Sequence, residues 1–220
     1  MILDKSLKKE HKMKGIFISF EGPDGSGKST QVKLLAEYCK NKGIDVVLTR
    51  EPGGTPISEN IRNLILDPKN GEMSAQTEAL LYAASRAQHV EQLIKPALAT
   101  GKVVLCDRFM DSSIAYQGYG RGLGDDVRKI NEFAIDGVQP DLTFFLDIAP
   151  EEGMRRVKSN GYLDRMEQES ILFHNKVYQG YLALCEIYKN RFVRLDATKA
   201  ASEIHKDIVE NLEKYVAGRA

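Results

Sequence analysis

The sequence predicts an α/β fold of three layers, in which a five-stranded parallel sheet is covered by helices on both sides. Five short apolar runs, typical of buried strands, alternate with longer segments whose apolar residues recur at helical spacing. The predicted strands are residues 16–20, 46–48, 103–106, 142–147 and 192–196. No internal repeat or low-complexity linker interrupts the alternation. The 220 residues, 42% hydrophobic and 28% charged, fit one globular domain, which we predict to span residues 15–220.

The first strand leads into residues 22–29, which match the phosphate-binding loop G-x-x-x-x-G-K-[ST] at every fixed position. In such a loop the glycines let backbone N–H groups surround a polyphosphate, the lysine reaches the β- and γ-phosphates, and the hydroxyl ligates Mg²⁺. The helix that follows points its N-terminus at the same anion. Glycine-rich turns also join strands to helices without binding anything. The complete match between a strand and a helix favours binding of a nucleoside triphosphate.

The second strand delivers a charged turn, residues 50–54, to its carboxyl end, where ligands bind in open α/β sheets. A solvated loop is the alternative. A short amphipathic helix over 57–66 then carries Arg62. The next helix, 74–99, places Tyr82 and Arg86 one turn apart, so that a ring and a guanidinium project together. Surface cation–π packing would give the same pattern. His89 has no partner visible in the sequence, and we expect it at the surface.

The third strand ends in Asp107 and Arg108, and an acidic residue at that point can hold Mg²⁺ directly or through water. Residues 111–124, rich in Ser, Tyr, Gln and Gly, predict a substrate-facing loop with a short helix. Helices are predicted at 127–135, after Pro150, over 168–189 and from about residue 202. Residues 155–161 form a basic stretch, and such a stretch is usually a solvated face. It is also the only such cluster in the predicted domain that could serve a polyphosphate.

Composition excludes several classes of protein. Lys and Arg number 31 and Asp and Glu number 31, so no net charge draws the chain to nucleic acid or membrane. Cys39, Cys106 and Cys185 form neither a zinc spacing nor a disulfide framework, which suits a reducing cytoplasm. Residues 1–14 are polar and Lys-rich, and predict a flexible N-terminal extension rather than a signal peptide. No run reaches the ~18 apolar residues of a membrane span.

Other features narrow the class of phosphate-loop protein. A GTPase would carry Asn-Lys-x-Asp, and the nearest candidate, residues 41–45, has one residue too many. A mechanical ATPase or a regulatory module has no need for a second set of arginines. Those arginines suggest a second phosphorylated ligand opposite the triphosphate, and therefore phosphoryl transfer between two nucleotides. They are Arg50, Arg62, Arg86 and Arg108.

Four motifs in chain order carry a family resemblance: residues 22–29, residues 50–54, residues 107–118 and the Leu-Asp-Arg-Met-Glu sequence at 163–167. Together they closely resemble the bacterial-type thymidylate kinase family, over roughly residues 15–216. The resemblance implies transfer of the γ-phosphate of ATP to dTMP with Mg²⁺, in a homodimer with the five-stranded nucleoside monophosphate kinase fold. A kinase for another deoxynucleoside monophosphate and a non-catalytic nucleotide-binding regulator remain alternatives.

The resemblance also implies roles for individual residues. ATP would bind at Gly22, Pro23, Asp24, Gly25, Ser26, Gly27, Lys28, Ser29 and Thr30. At the dTMP site, Arg50, Arg62 and Arg108 would lie near the acceptor phosphate. Asp24 would face the deoxyribose 3′-OH, and Tyr116 would disfavour a ribose 2′-OH. Tyr82 would stack on the base and Arg86 would contact its edge, with Ser113 and Gln117 nearby. Metal-shell candidates are Ser29, Glu51 and Asp107.

The variable positions 23–26 of the loop contain no cation, so any transition-state charge in addition to Lys28 must come from outside the loop. We therefore predict a lid at about 153–165. Relatives with this kind of loop carry arginines at alternate lid positions, where this chain has Arg156, Lys158 and Asn160. That departure makes Arg156 the candidate arginine finger, supported by Lys158 and Arg165. Lys28, Arg156, Lys158 and Arg165 are thus the predicted catalytic residues.

Overall fold

The computed structural model describes residues 15–159, 161 and 163–218. The predicted N-terminal extension at 1–14 and lid position Asn160 lie outside the described residues. Within the described part, no helix combines the length and the apolar character needed to span a membrane.

A five-stranded sheet forms the centre of the molecule, with every pair of neighbouring strands parallel and the order β2-β3-β1-β4-β5. The strands are β1 (Ile16–Glu21), β2 (Val46–Arg50), β3 (Val103–Asp107), β4 (Leu142–Asp147) and β5 (Phe192–Asp196). The predicted fold class is confirmed. Each predicted strand lies within two residues of the observed one, because strands buried on both faces are continuous apolar runs.

Helices cover both faces of the sheet. They are α1 (Lys28–Asn41), α2 (Pro56–Leu66), α3 (Ala75–His89), α4 (Lys95–Ala99), α5 (Met110–Ser113), α6 (Asp126–Ile135), α7 (Pro150–Lys158), α8 (Ile171–Ile187) and α9 (Ala201–Ala217). Successive residues of β1 point to opposite faces, so Phe17 joins the core beneath α8, whereas Ile18 and Phe20 join the core beneath α1 and α9. Both cores contain buried aromatic and β-branched side chains.

The helices differ from the sequence predictions in three places. The segment predicted as one helix, 74–99, is helical without a break from Ala75, but its hydrogen-bond pattern changes. A π-helical turn at Val90–Ile94 lies between α3 and α4. The predicted loop at 111–124 is instead largely helical, since α5 continues as a buried π-helical segment, Ile114–Gly120. Helix α8 begins three residues later than predicted, because the Ser170 hydroxyl caps it by accepting from the Phe173 amide at 3.2 Å.

Parallel register brings the polar strand ends to one edge of the sheet. Asp107 of β3 lies opposite Arg50 of β2 and opposite Phe20 of β1, so the turn after β2 and the phosphate-binding loop open on the same side. This is the edge at which open α/β sheets bind ligands. A cleft of about 500 Å³ lies there.

Candidate active site

The phosphate-binding loop forms one wall of the cleft. Lys28 is buried, and its Nζ donates to the carbonyl oxygens of Pro23 at 2.8 Å and Gly22 at 3.1 Å, with Ser26 Oγ at 3.4 Å. Burial, followed by the charge of Arg108, lowers the pKa of Lys28 to about 8. The loop therefore holds the ammonium in place before any phosphate arrives.

Helix α7 lies directly against this loop, and two glycines make the approach possible. A Cβ at Gly25 would lie 2.2 Å from the Gly153 carbonyl oxygen, and a Cβ at Gly153 would lie 2.4 Å from the Asp24 carbonyl oxygen. Gly25 also has a positive φ of 75°, which favours glycine. Because the backbones touch, the side chains of α7 one turn further on reach the loop.

Ser29 and Asp107 bring two oxygen ligands together at the start of α1. The Ser29 hydroxyl donates to Asp107 Oδ2 at 2.6 Å, and both residues line the cleft. Mg²⁺ prefers oxygen ligands and keeps several waters and phosphate oxygens in its shell. The described residues contain no group of three His, Cys, Asp or Glu side chains able to hold a metal by themselves. This donor set fits a Mg²⁺ ion whose remaining ligands are waters and the oxygens of a bound phosphate.

The structure does not bring Glu51 into that pair. Its carboxylate is buried and accepts from Arg86 Nε at 2.6 Å, while its other oxygen lies 2.9 Å from His89 Nδ1. His89 Nε2 lies 2.6 Å from Thr49 Oγ1. His89 is fully buried, and the expectation that it lies at the surface is wrong. A signal was available, because His89 lies three residues after Arg86 and so shares its helical face.

Arg86 is buried, and nearly all of its N–H groups already donate hydrogen bonds. Besides Glu51 it donates to Ser113 Oγ at 3.0 Å, to the Phe109 carbonyl at 3.1 Å and to Asn131 Oδ1. These contacts occupy four of its five N–H groups. Arg86 still lines the cleft, together with Tyr82, Ser113 and Gln117, so the structure groups the residues predicted around the base.

Asp24 of the phosphate-binding loop forms a second cluster in the cleft with Arg108 and Tyr116. Arg108 Nη2 donates to Asp24 Oδ1 at 2.5 Å, and the Tyr116 hydroxyl donates to Asp24 Oδ2 at 2.9 Å. Burial raises the pKa of Asp24, but the charges of Arg108 and Lys28 outweigh it and lower that pKa to about 2. Asp24 is therefore ionised at neutral pH and accepts hydrogen bonds only.

Arg108 adopts a strained backbone conformation, with φ at 71°. Sequence reasoning missed the residues that hold it. Its Nη1 donates to the hydroxyls of Ser112 at 3.1 Å and Tyr181 at 3.0 Å, and both hydroxyls contact the buried Glu21 carboxylate. Burial, then the nearby Asp111, raises the pKa of Glu21 to about 7. Glu21 ends β1 directly before the loop, which is the only signal that the sequence offers for it.

Two further arginines, Arg50 and Arg62, line the cleft. Arg50 is exposed, and its Nη2 pairs with Glu59 Oε2 at 2.9 Å. Arg62 is half-buried and donates to the Pro52 carbonyl at 2.8 Å. With Arg108, whose Nη1 donates to the Gly22 carbonyl of the loop at 3.0 Å, they bring three guanidinium groups into the cleft that Lys28 also lines.

The predicted lid cations separate in the structure. Arg156 lines the cleft, with Nη1 3.5 Å from the Gly25 carbonyl and 3.4 Å from the Ala197 carbonyl. Lys158 is exposed and does not line the cleft. Arg165 is buried away from it, with Nη2 2.7 Å from Glu78 Oε2 and Nε donating to the Ile65 carbonyl at 2.7 Å. Of the three, the structure brings only Arg156 to the phosphate-binding loop.

A phosphate-binding loop on a parallel sheet, sharing one cleft with a second set of arginines, defines a P-loop nucleotide phosphotransferase. The thymidylate kinase family model matches residues 20–208. A thymidylate kinase from Lactobacillus acidophilus is 55% identical over 206 residues, which cover 92% of this chain and 95% of the relative. A thymidylate kinase from a Geobacillus species is 50% identical over 210 residues, covering 94% and 100%.

A crystal structure of thymidylate kinase from Ehrlichia chaffeensis superposes with a TM-score of 0.74 at 36% identity, covering 90% of this chain and 98% of that chain. The chain belongs to the thymidylate kinase family. The resemblance inferred from the four motifs is confirmed.

Proposed function

We propose that this protein transfers the γ-phosphate of ATP to dTMP with Mg²⁺, giving ADP and dTDP for the synthesis of thymidine nucleotides. The observation that carries the proposal is that one cleft holds two sets of phosphate-binding groups. Lys28 and the loop would bind the donor, and Arg50, Arg62 and Arg108, which line the same cleft, would bind the acceptor. Family membership gives the identity of the two nucleotides.

On the donor side, the loop amides and Lys28 would bind the β- and γ-phosphates. Ser29 and Asp107 would hold Mg²⁺, which neutralises charge on the phosphate oxygens. Glu51 has a different role in this proposal, since its two oxygens already bind Arg86 and His89. It fixes the Arg86 guanidinium, whose remaining N–H faces the base.

On the acceptor side, the proposed thymine stacks on the half-buried Tyr82 ring, and its O4 accepts from Arg86. Asp24 is ionised and accepts from the deoxyribose 3′-OH. The Tyr116 hydroxyl, which donates to Asp24 at 2.9 Å, occupies space beside the sugar that a ribose 2′-OH would need. Arg108 binds the acceptor phosphate and aligns its oxygen with the γ-phosphorus, because positioning and neutralisation are what phosphoryl transfer requires of the protein.

The test is a coupled ADP-release assay with dTMP, with dCMP, with neither, and with EDTA in place of Mg²⁺. We expect release to depend on both dTMP and Mg²⁺. Cytosine presents a donor at position 4, which would leave the Arg86 N–H unpaired at a cost of about 1–3 kcal/mol, so kcat/KM should be ~10-fold or more lower for dCMP. The absence of ADP release in every reaction would indicate a non-catalytic nucleotide-binding regulator, release that does not depend on dTMP would indicate an ATPase, and equal use of dCMP would indicate a broader deoxynucleotide kinase.

We further propose a homodimer assembled on α2, α3 and α6, of which α3 packs against both α2 and α6. These helices expose large apolar side chains: Ile57 at 54%, Leu64 at 53%, Leu80 at 57% and Phe133 at 88%. A monomer rarely leaves a group of apolar side chains in water. A cytoplasmic location is proposed on the three free thiols, Cys39, Cys106 and Cys185.

Phe133→Glu is expected to convert the dimer to a monomer, because a charge at the centre of an apolar interface must be desolvated without a partner. Sedimentation velocity measures the change. Leu172→Glu is the matched control, since Leu172 is exposed at 71% but lies on α8. An unchanged sedimentation coefficient for Phe133→Glu, or an equal change for the control, would place the interface elsewhere.

A further inference from the structure

Glu78 is a buried carboxylate on the helix that carries the proposed base-binding residues. It precedes Tyr82 by one turn and Arg86 by two, so all three share one face of α3. Glu78 is 1% exposed. Its Oε1 accepts from Gln117 Nε2 at 2.9 Å and from Arg121 Nε at 3.1 Å, and its Oε2 accepts from Arg121 Nη2 at 2.8 Å. Arg165 lies 2.7 Å from the same oxygen.

Two guanidinium groups keep this carboxylate ionised despite its burial. Burial raises the pKa of Glu78, but hydrogen bonds from Arg121, Gln117 and Arg165 outweigh it and lower that pKa below its usual value. An ionised carboxylate accepts hydrogen bonds and cannot donate them. Glu78 can therefore meet only the NH₂ end of the Gln117 amide.

This constraint fixes the other end of the amide. With Nε2 on Glu78, the Gln117 carbonyl oxygen faces away from Glu78. Gln117 is 1% exposed and lines the cleft beside Tyr82 and Arg86. Its Oε1 is buried and has no hydrogen-bond partner in the described part of the chain. Buried acceptors are normally paired, so a ligand seated in the cleft is the natural source of the missing donor.

We propose that Glu78 is a positioning residue for base selection, which holds the Gln117 amide so that Oε1 accepts from the N3–H of a pyrimidine. The inference rests on the proposed function. Thymine carries a hydrogen at N3, whereas cytosine has a lone pair there. With cytosine, two acceptors, N3 and Gln117 Oε1, would face each other without a hydrogen between them. Arg86 and Gln117 then contact two neighbouring atoms of the base edge. An Arg86 N–H donates to O4, and Gln117 Oε1 accepts from N3–H.

The test compares Glu78→Gln with Glu169→Gln. Glutamine at 78 offers both a donor and an acceptor, so the Gln117 amide is free to turn and present NH₂ to the cytosine N3. Glu169→Gln is the matched control, because Glu169 pairs with Arg121 Nη1 at 2.6 Å, and none of its contacts is with Gln117. The readout is the ratio of kcat/KM for dTMP to that for dCMP. We expect Glu78→Gln to lower the ratio about tenfold or more and Glu169→Gln to leave it unchanged.

An exchange of the two side chains provides a rescue. In Glu78→Gln with Gln117→Glu, the new glutamine donates to the new carboxylate, whose second oxygen again accepts from N3–H. The number of carboxylates near Arg121 and Arg165 is kept. We expect the double variant to recover the dTMP preference that Glu78→Gln loses. A merely structural role would reduce kcat/KM for both substrates equally and leave the ratio unchanged, and that outcome overturns the proposal.

If Glu78→Gln does not fold, Gln117→Leu decides the question, since it removes the acceptor and leaves both arginines paired with Glu78. An unchanged ratio for that variant overturns the proposal. The failure of the proposed function is distinct, because it would appear in the unmodified protein as ADP release that does not respond to dTMP.

Discussion

We expect Lys28→Ala to lower kcat by about 10³-fold or more at saturating ATP and dTMP. The reason is electrostatic, since a positioned charge on the β- and γ-phosphates stabilises the transition state. Lys28 is well suited to this task because the loop carbonyls of Gly22 and Pro23 already hold its Nζ. On ATP binding, phosphate oxygens replace these carbonyls with little movement of the side chain.

Lys33→Ala is the control for Lys28→Ala. Lys33 lies on the same helix α1 but is exposed and does not line the cleft. The measurement is steady-state kcat, with dTMP affinity determined separately by calorimetry. The Lys28→Ala variant should keep the affinity for dTMP, because the proposed contacts to the acceptor phosphate come from Arg50, Arg62 and Arg108. A kcat within tenfold of the unmodified protein would contradict the role given to the phosphate-binding loop.

The sheet and the phosphate-binding loop could be predicted because both depend on local sequence. A strand buried on two faces is an apolar run, and the loop is an unbroken set of eight residues. Residues 110–120 could not be assigned in this way. Their Ser, Tyr and Gly content disfavours a helix, yet Ile114, Ala115 and Tyr116 are buried in the core, and that tertiary packing overrides propensity.

The contacts inside the site depend on partners far apart in the chain, and the sequence does not show them. The pairing of Glu51 with Arg86 and His89 joins a loop to a helix, and the sequence does not show that a carboxylate predicted near the metal has these two partners. Arg165 belongs to a motif of the family, but its position beside the buried Glu78 follows from the folding of α3 against the segment after α7.

The basic stretch on α7 illustrates how helix geometry decides between neighbouring cations. Residues two apart on a helix point about 200° apart, so Arg156 and Lys158 cannot both face the phosphate-binding loop. Arg156 faces it, with Glu152 accepting from its Nε at 3.0 Å. Lys158 faces solvent. Arg156 and Lys158 are both candidates from the sequence, and the helix register distinguishes them.

Arg156→Ala is therefore expected to lower kcat by ~10³-fold or more while changing KM for dTMP little. An arginine that contacts the transferring phosphate stabilises charge that develops mainly in the transition state, and such contacts are worth ~10³–10⁵ in kcat. Lys158→Ala is the matched control, being a cation on the same helix whose side chain is exposed, and we expect it to stay within about threefold of the unmodified kcat, a change of about 0.6 kcal/mol.

Arg156→Lys separates charge from geometry in the same experiment. Lysine keeps the positive charge but lacks the planar pair of donors that matches two phosphate oxygens, so its kcat should fall between those of Arg156→Ala and the unmodified protein. If Arg156→Ala loses less than about tenfold in kcat (~1.4 kcal/mol), the arginine only packs α7 against the loop. The transition-state charge would then have to come from Arg50, Arg62 or Arg108, the guanidinium groups that line the cleft on the acceptor side.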